Sequence, residues 1–176
     1  MTVRTAILTI SDRSSRGERE DTSGPALVAE TQKLGWEVVY TGIVPDDLES
    51  IKSILVQWSS GRQVDLILTT GGTGFAPRDV TPEATLAVIQ RHAPGLAEAM
   101  RYESLKITPH AMLSRAVAGI LDRTLIVNFP GSPRAALENL AVIAPVIPHA
   151  IELLREDPDS EKGHALGQKS PLQDIP

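Results

Sequence analysis

The sequence predicts an α/β fold, a single domain with a mostly parallel central sheet. Three observations predict it. Short β-branched apolar runs alternate with helical patterns from the first residues onward. Aromatic residues make up only 3% of the 176 (Phe75, Phe129, Trp36, Trp58, Tyr40 and Tyr102), so the core is built from Ile, Leu, Val and Ala, the filling of a sheet covered on both faces. Apolar residues at 41% and charged residues at 22% are near the averages of globular chains.

Residues 5–10 (TAILTI) form the first strand. The polar stretch 11–23, with Gly17 inside it, reads as a loop. Gly24-Pro25 opens a helix to about residue 34, stopped by Gly35. Residues 36–44 (WEVVYTGIV) form a second strand. Pro45-Asp46-Asp47 starts a helix in which Leu48, Ile51, Ile54, Leu55 and Trp58 recur at three- and four-residue spacing, and Gly61 ends it. Residues 64–69 (VDLILT) are the third strand. Thr81-Pro82-Glu83 has the form of an N-cap, a proline at the first helical position and an early acid, opening a helix to about His92. Pro94-Gly95 separates it from a helix over 96–106, and 111–118 reads as a further short helix. Residues 124–129 (TLIVNF) are the fourth strand. Ser132-Pro133 caps the last helices, which Pro145 and Pro148 break or kink. The domain spans 1–155; residues 156–176, rich in Pro, Gly, Ser and charge, read as an acidic, mobile tail.

The absence of cysteine excludes disulfides, thiolate zinc sites and cysteine nucleophiles. No signal-peptide run or stretch of about 20 apolar residues is evident, so the expectation is a cytoplasmic protein with no membrane association. Of the net charge of −5, the tail carries −3 through five acids and two lysines. The near-neutral body lacks the basic face of a nucleic-acid binder, so no nucleic-acid partner is expected. It leaves room for a local anion pocket drawn from Arg13, Arg16, Arg78, Arg101, Lys106, Arg115 and Arg134. His92, His110, His149 and His164 have no metal-ligand spacing.

Ligands of open α/β sheets bind beyond the carboxyl ends of the strands. Those ends are the polar or glycine-rich segments 11–21, 44–47, 69–79 and 128–132. In Thr69-Thr70-Gly71-Gly72-Thr73-Gly74, three glycines in four positions allow close backbone approach and a phosphate cradle of N–H groups, with Thr73 and Arg78 as further donors. The competing reading is a tight turn that reverses the chain. Neither the P-loop nor the dinucleotide fingerprint is present. Asp46 and Asp79 each follow a strand end beside this loop. Such carboxylates bind Mg²⁺ together with phosphate oxygens, or else cap helices, and the residue pattern leaves both open. Asn128-Phe129-Pro130-Gly131-Ser132-Pro133 adds a glycine and a helix N-terminus, or is a plain strand-to-helix turn.

The run TTGGTGFAPRDVTPEAT at 69–85 resembles the molybdopterin adenylyltransferases, the MogA-like enzymes of molybdenum-cofactor biosynthesis, related to MoaB-type proteins and to the G domains of plant Cnx proteins and of gephyrin. Ser11-Asp12-Arg13, Asp21-Thr22-Ser23-Gly24-Pro25, Val44-Pro45-Asp46-Asp47, Glu103-Ser104-Leu105-Lys106, Leu113-Ser114-Arg115 and Asn128–Ser132 extend the resemblance over about residues 4–155. It implies a three-layer α/β sandwich, a homotrimer, and adenylylation of molybdopterin by ATP with Mg²⁺, the product passing to a molybdenum-insertion protein. It implies that Asp46 and Asp79 are the acidic pair acting through the metal, with Asp46 favoured over its neighbour Asp47. By the same resemblance Gly71, Gly72, Thr73 and Gly74 hold phosphates, and Asp12, Ser23, Gly24, Pro130 and Gly131 line the nucleotide pocket. Ser104, Lys106, Ser114 and Arg115 then face the pterin. The alternatives are a non-catalytic molybdopterin binder of the same fold, a trimeric scaffold, and a generic sugar-phosphate or nucleotide enzyme of the doubly wound class.

Overall fold

The computed structural model describes residues 2–156. Its strands are β1 (Arg4–Ile10), β2 (Glu37–Val44), β3 (Leu66–Thr70), β4 (Arg91–His92), β5 (Ala118–Leu121) and β6 (Thr124–Phe129). Its α-helices are α1 (Asp12–Ser15), α2 (Ser23–Lys33), α3 (Leu48–Ser59), α4 (Thr81–Val88), α5 (Pro94–Leu105), α6 (Pro133–Ile143) and α7 (Ile147–Arg155). The six strands make one sheet in the order β2-β1-β3-β6-β5-β4. β2, β1, β3 and β6 run parallel, while β5 and β4 extend the sheet antiparallel beside β6.

Every residue of β3 and β6 is buried, as the continuous apolar runs LILTT and TLIVNF require between two helical layers. One core cluster packs Leu27 of α2, Met100 of α5, Leu140 of α6 and Ile151 of α7 on Ile7, Leu66, Leu68 and Val127. The other packs Ile51 and Leu55 of α3 and Ala84 of α4 on Ala6, Leu8, Ile67 and Ile126. The alternation of neighbouring strand residues between these clusters is the two-residue period of a sheet with both faces covered, and the result is the expected three-layer sandwich. Together Pro133–Arg155 are long and apolar enough, by length and composition alone, to cross a membrane. Here their apolar stripe Ala136, Leu140, Ile143, Ile147 and Ile151 is buried in the first core, and Pro145 falls in a 3₁₀ turn between α6 and α7.

Three local expectations need correction. The helix expected to reach His92 stops at Val88; Ile89 is extended, and Gln90 and Ala93 donate backbone hydrogen bonds to Ile120 and Ala118 (2.8 and 2.9 Å), so 91–92 become a strand. The short helix expected over 111–118 is a 3₁₀ turn at Pro109–Leu113 followed by β5. β5 exists because Asp122, at φ +52°, makes a two-residue turn with Arg123 that folds Leu121 against Thr124. The loop at 11–23 contains the single turn α1, whose first amides meet the Ser11 hydroxyl (Ser14 N to Oγ, 3.2 Å). The expected tail lies outside the described residues apart from Glu156, which ends α7 in a left-handed conformation and pairs with Arg123 at 2.7 Å.

At the amino ends of the strands Asp65, 3% exposed, joins the chain's two described ends. Its carboxylate accepts from the Arg4 backbone N (2.8 Å), Arg4 Nε and Nη2 (3.0 and 2.9 Å), Arg155 Nε (2.9 Å) and Arg155 Nη2. Burial pushes its pKa up, but the hydrogen bonds from Arg4 and Arg155 outweigh this and hold it below the ordinary carboxylate value. A depressed native pKa stabilises the fold above the unfolded value near 4, and that stabilisation is lost as pH falls through the native value. Asp65→Asn should therefore cost about 3 kcal/mol at pH 7, and should flatten the acid limb of stability against pH, both measurable by urea denaturation.

Candidate functional site

Strands β1, β3 and β6 end side by side, and the chain leaving β3 passes between the other two ends. Gly71 N donates to Phe129 O (3.1 Å), and a Cβ on Gly71 would lie 2.2 Å from Ile10 O. Both Gly71 (φ +103°) and Gly72 (φ +63°) occupy backbone space that favours glycine. A Cβ on Gly72 would meet Thr81 Oγ1 at 2.3 Å and Asp46 Oδ1 at 3.1 Å. Thr81 is not the expected helix cap. It sits inside α4, and its hydroxyl donates to Gly71 O (2.9 Å), pinning the turn. Beneath the loop the buried Asn128 amide donates to Thr69 Oγ1 and Thr85 Oγ1 (3.0 and 2.9 Å), tying β3, β6 and α4 together.

The acids sort by their partners. Asp47 caps α3, accepting from Ser50 N and Oγ (2.8 and 2.7 Å), and these bonds hold its pKa low. Asp46 is therefore free of the capping role. Asp12 N donates to Asp46 Oδ2 (2.9 Å), while Asp46 N donates to Asp12 Oδ1 (3.0 Å), a reciprocal clasp that fixes both loops. Burial raises the Asp46 pKa, with the Asp12 and Asp79 charges adding to the rise, and outweighs the Asp12 N–H hydrogen bond and the Arg78 charge that oppose it. Asp79 Oδ2 accepts from Ala76 N (3.0 Å) and lies 2.9 Å from where a Gly74 Cβ would stand.

Two cavities meet at this loop. A polar one of about 400 Å³ is lined by Asp21, Ser23, Asp46, Thr70, Arg78 and Ser132 among others. A more apolar one of about 440 Å³ is lined by Thr73, Met100, Ser104, Leu113, Ser114 and Asn139 among others. Gly72, Asp79 and Gly131 border both.

The family model described as "Probable molybdopterin binding domain" matches residues 6–149. The chain belongs to this family. It is 43% identical over 155 residues to a molybdopterin adenylyltransferase of Helicobacter pylori, covering 87% of this chain and 88% of that one. It is 48% identical over 165 residues to gephyrin of Dictyostelium discoideum; the match covers 88% of this chain but spans only about a quarter (23%) of that gephyrin's length. The crystal structure of the molybdopterin biosynthesis enzyme MoaB from Thermus thermophilus superposes with a TM-score of 0.84 at 49% identity, covering 89% of this chain and 99% of that one.

Within this family fold the expected site residues divide. Gly71, Asp46 and Ser23 line the polar cavity; Thr73, Gly74, Ser104, Ser114 and Pro130 line the apolar one. Four others line neither cavity. Asp12 clasps Asp46. Gly24 donates its N–H to Asp21 Oδ1 (3.1 Å), and its missing Cβ leaves room for the Thr9 hydroxyl to reach Asp21 (2.7 Å). Lys106 lies outside both cavities, paired with Glu103 at 2.6 Å and 4.6 Å above the Tyr102 ring. Arg115 braces the loop: its backbone N donates to Thr73 O (2.9 Å), Nε to Gly74 O (2.7 Å), and its remaining nitrogens to Asp79 O and Glu83.

Asp21 and Asn139 were not singled out from the sequence. Asp21 anchors the first turn of α2 beside the polar cavity. Asn139, 7% exposed, accepts from Ser104 Oγ (2.8 Å) on the wall of the apolar cavity. The available signal was a lone amide within the apolar stripe Ala136, Leu140 and Ile143.

Two outcomes follow. Asn at position 46 keeps the acceptor for Asp12 N but removes a charge whose native pKa is raised. Such a charge destabilises the fold as pH rises above the unfolded value near 4. Asp46→Asn should therefore melt at or above the parent temperature at pH 7 in metal-free buffer, with the gap closing below pH 4. Arg115→Ala should speed amide exchange across 74–79 while leaving the β3 and β6 amides protected.

Proposed function

We propose that this chain is a molybdopterin adenylyltransferase acting in molybdenum-cofactor biosynthesis. The observation that carries the reading is the shared border of the two cavities at Gly72, Asp79 and Gly131. An enzyme that joins two phosphate-bearing substrates needs two pockets whose phosphate ends meet. The name of the adenylyltransferase relatives supplies the substrates, ATP and molybdopterin. The terminal phosphate of molybdopterin attacks the α-phosphorus of ATP; the new P–O bond forms as the bond to pyrophosphate breaks. The nucleophile is already anionic at neutral pH, so no general base is needed, and positioning with charge stabilisation carries the rate.

The apolar cavity, with Met100 and Leu113 for ring faces and Ser104, Ser114 and Asn139 for ring edges, suits a pterin. The polar cavity, with Arg78, Ser23 and the glycine turn, suits the nucleotide phosphates. Thr73 and Gly74 stand on the pterin side of the border.

The donor set fits Mg²⁺. Asp46 Oδ1 and Asp79 Oδ1 are the carboxylate oxygens left after the Asp12 and Ala76 amides are satisfied. No group of three or more His or acidic side chains forms a metal cage among the described residues, and magnesium is commonly held by one or two carboxylates together with substrate phosphates. When bound, the ion supplies charge neutralisation between two polyanions. The raised pKa of Asp46 reflects an acid held near Asp12 and Asp79 in a partly desolvated place, an arrangement relieved by a cation.

The remaining parts of the reading are a cytoplasmic homotrimer that passes its product to a molybdenum-insertion protein. Tyr102, Ile107 and Met112, each more than half exposed at the end of α5 and in the turn after it, offer apolar surface for subunit contact. The rival, a non-catalytic molybdopterin binder, is disfavoured by the retention of both Asp46 and Asp79.

Incubation with molybdopterin, Mg²⁺ and α-labelled ATP tests the reading, scored by label on the pterin. Transfer is expected in the parent. Asp79→Asn, which keeps the acceptor for Ala76 N, should lower turnover by about a thousandfold with molybdopterin affinity little changed. Tight molybdopterin binding without any transfer in the parent would leave the non-catalytic binder in its place.

A further inference from the structure

At the end of the sheet opposite the site, a cleft of about 840 Å³ opens between the amino ends of the strands. Five arginines line it: Arg4, Arg62, Arg91, Arg123 and Arg155. Against them stand Asp65 and Asp122, so the lining carries a net +3 on a chain whose net charge is −5. Glu156, which pairs with Arg123, leaves the neighbourhood at +2. This is a local reversal of sign, and a concave wall focuses its field.

Three features distinguish the cleft from a solvated basic surface. First, Asp65 accepts from Nε and Nη2 of both Arg4 and Arg155, and Arg155 Nη2 also donates to Thr2 O (3.1 Å), so the two guanidiniums are fixed in place before any ligand arrives, with their Nη1 groups left over. Second, Arg62 and Arg91 have no ion pair among the described residues. Third, Ser59 on the wall is 5% exposed, and its hydroxyl is one of three buried hydroxyls among the described residues with no hydrogen-bond partner, the others being Thr5 and Thr31, which do not line the cleft. A buried hydroxyl without a partner is uncommon and points to a missing polar ligand or water. Among the described residues, the three non-glycine residues with left-handed backbone, Arg62 (φ +58°), Asp122 (φ +52°) and Glu156 (φ +57°), all stand at or beside this cleft.

We propose that this cleft binds an oligophosphate anion. Guanidinium forks match phosphate oxygens in geometry and charge. Several preset cations around one concavity favour a ligand with two or more phosphates over a single small anion. Both free pyrophosphate and the diphosphate of a nucleotide carry that chemistry.

The test is calorimetric titration of the full-length protein with pyrophosphate and, separately, with ADP, compared between the parent and Arg62→Gly/Arg91→Gln. Glycine is the residue best suited to φ +58°, and glutamine keeps length at an exposed strand position, so the variant should fold; its melting curve and adenylyl-transfer rate should match the parent's. The parent should show a binding event that the variant weakens by at least about tenfold, and that sulfate at equal ionic strength does not reproduce. Loss for both ligands assigns the site to the diphosphate itself, and loss for ADP alone to a nucleotide. Titrations of variant and parent that coincide for both ligands would overturn the proposal, as would equal binding of sulfate.

Discussion

The site depends on one close contact: the backbone of Gly71 passes so near the Ile10 carbonyl that a single methyl group would overlap it. That contact lets the chain leaving β3 run between the ends of β1 and β6 instead of over them. Gly72 then lies against Asp46, and Gly131 approaches to within 3.3 Å of Gly71 (measured from a Cβ built on Gly131). Three loops far apart in sequence are thereby drawn into one wall, with a cavity on each side. Any side chain at 71 would push the loops apart, and the two cavities would cease to share a border. The Thr81 hydroxyl on Gly71 O, the Asn128 amide beneath and the Arg115 guanidinium behind all serve to hold this one turn.

Two aspartates show how the fold divides stability from chemistry. Asp65 is saturated by two arginines and a backbone amide, and its lowered pKa records a net gain for the folded state. Asp46 is half-buried beside two like charges with fewer donors, and its raised pKa records a net cost. A charge kept where it destabilises the apo fold is what a binding site requires, because its field is left available to a ligand rather than spent within the protein. The two lie at opposite ends of the sheet, so the cost at one end is offset by the clamp at the other without either disturbing its neighbour.

Of the four parallel strands, β1, β3 and β6 were legible as apolar runs, and the edge strand β2 (EVVYTGIV), with no buried residue, from its β-branched and aromatic content. β4 and β5 were not. Arg91–His92 has no apolar content to show a strand, and Ala-Gly-Ile-Leu is as compatible with a helix until the Asp122 turn folds it onto β6. The acids and the glycine loop were legible because their chemistry is local to the motif. The choice between Asp46 and Asp47 was not, since both precede α3; it turns on the Ser50 amide, which only the folded helix presents to Asp47. Arg115 illustrates the limit most clearly. Its motif placed it near the loop, but only the tertiary structure separates an arginine that faces a cavity from one whose donors are taken up by Gly74, Asp79 and Glu83.

The distribution of charge along the strand axis follows partly from topology. In a parallel α/β sheet the helix N-termini gather at the carboxyl ends of the strands, where their positive ends complement Asp12, Asp21 and Asp47, and the helix C-termini gather at the other end, where cations are favoured. That rule accounts for Arg155 in the last turn of α7 and for Arg62 at the end of the 3₁₀ turn after α3. It does not reach Arg4 on β1, Arg91 on β4 or Arg123 in the β5–β6 turn, none of which lies on a helix. Helix-end complementarity would also be satisfied by mobile, separated cations, whereas two of these five are locked by a buried carboxylate. The cleft thus carries more positive charge, held more rigidly, than the helix ends alone call for, and the excess is what an anion would find there.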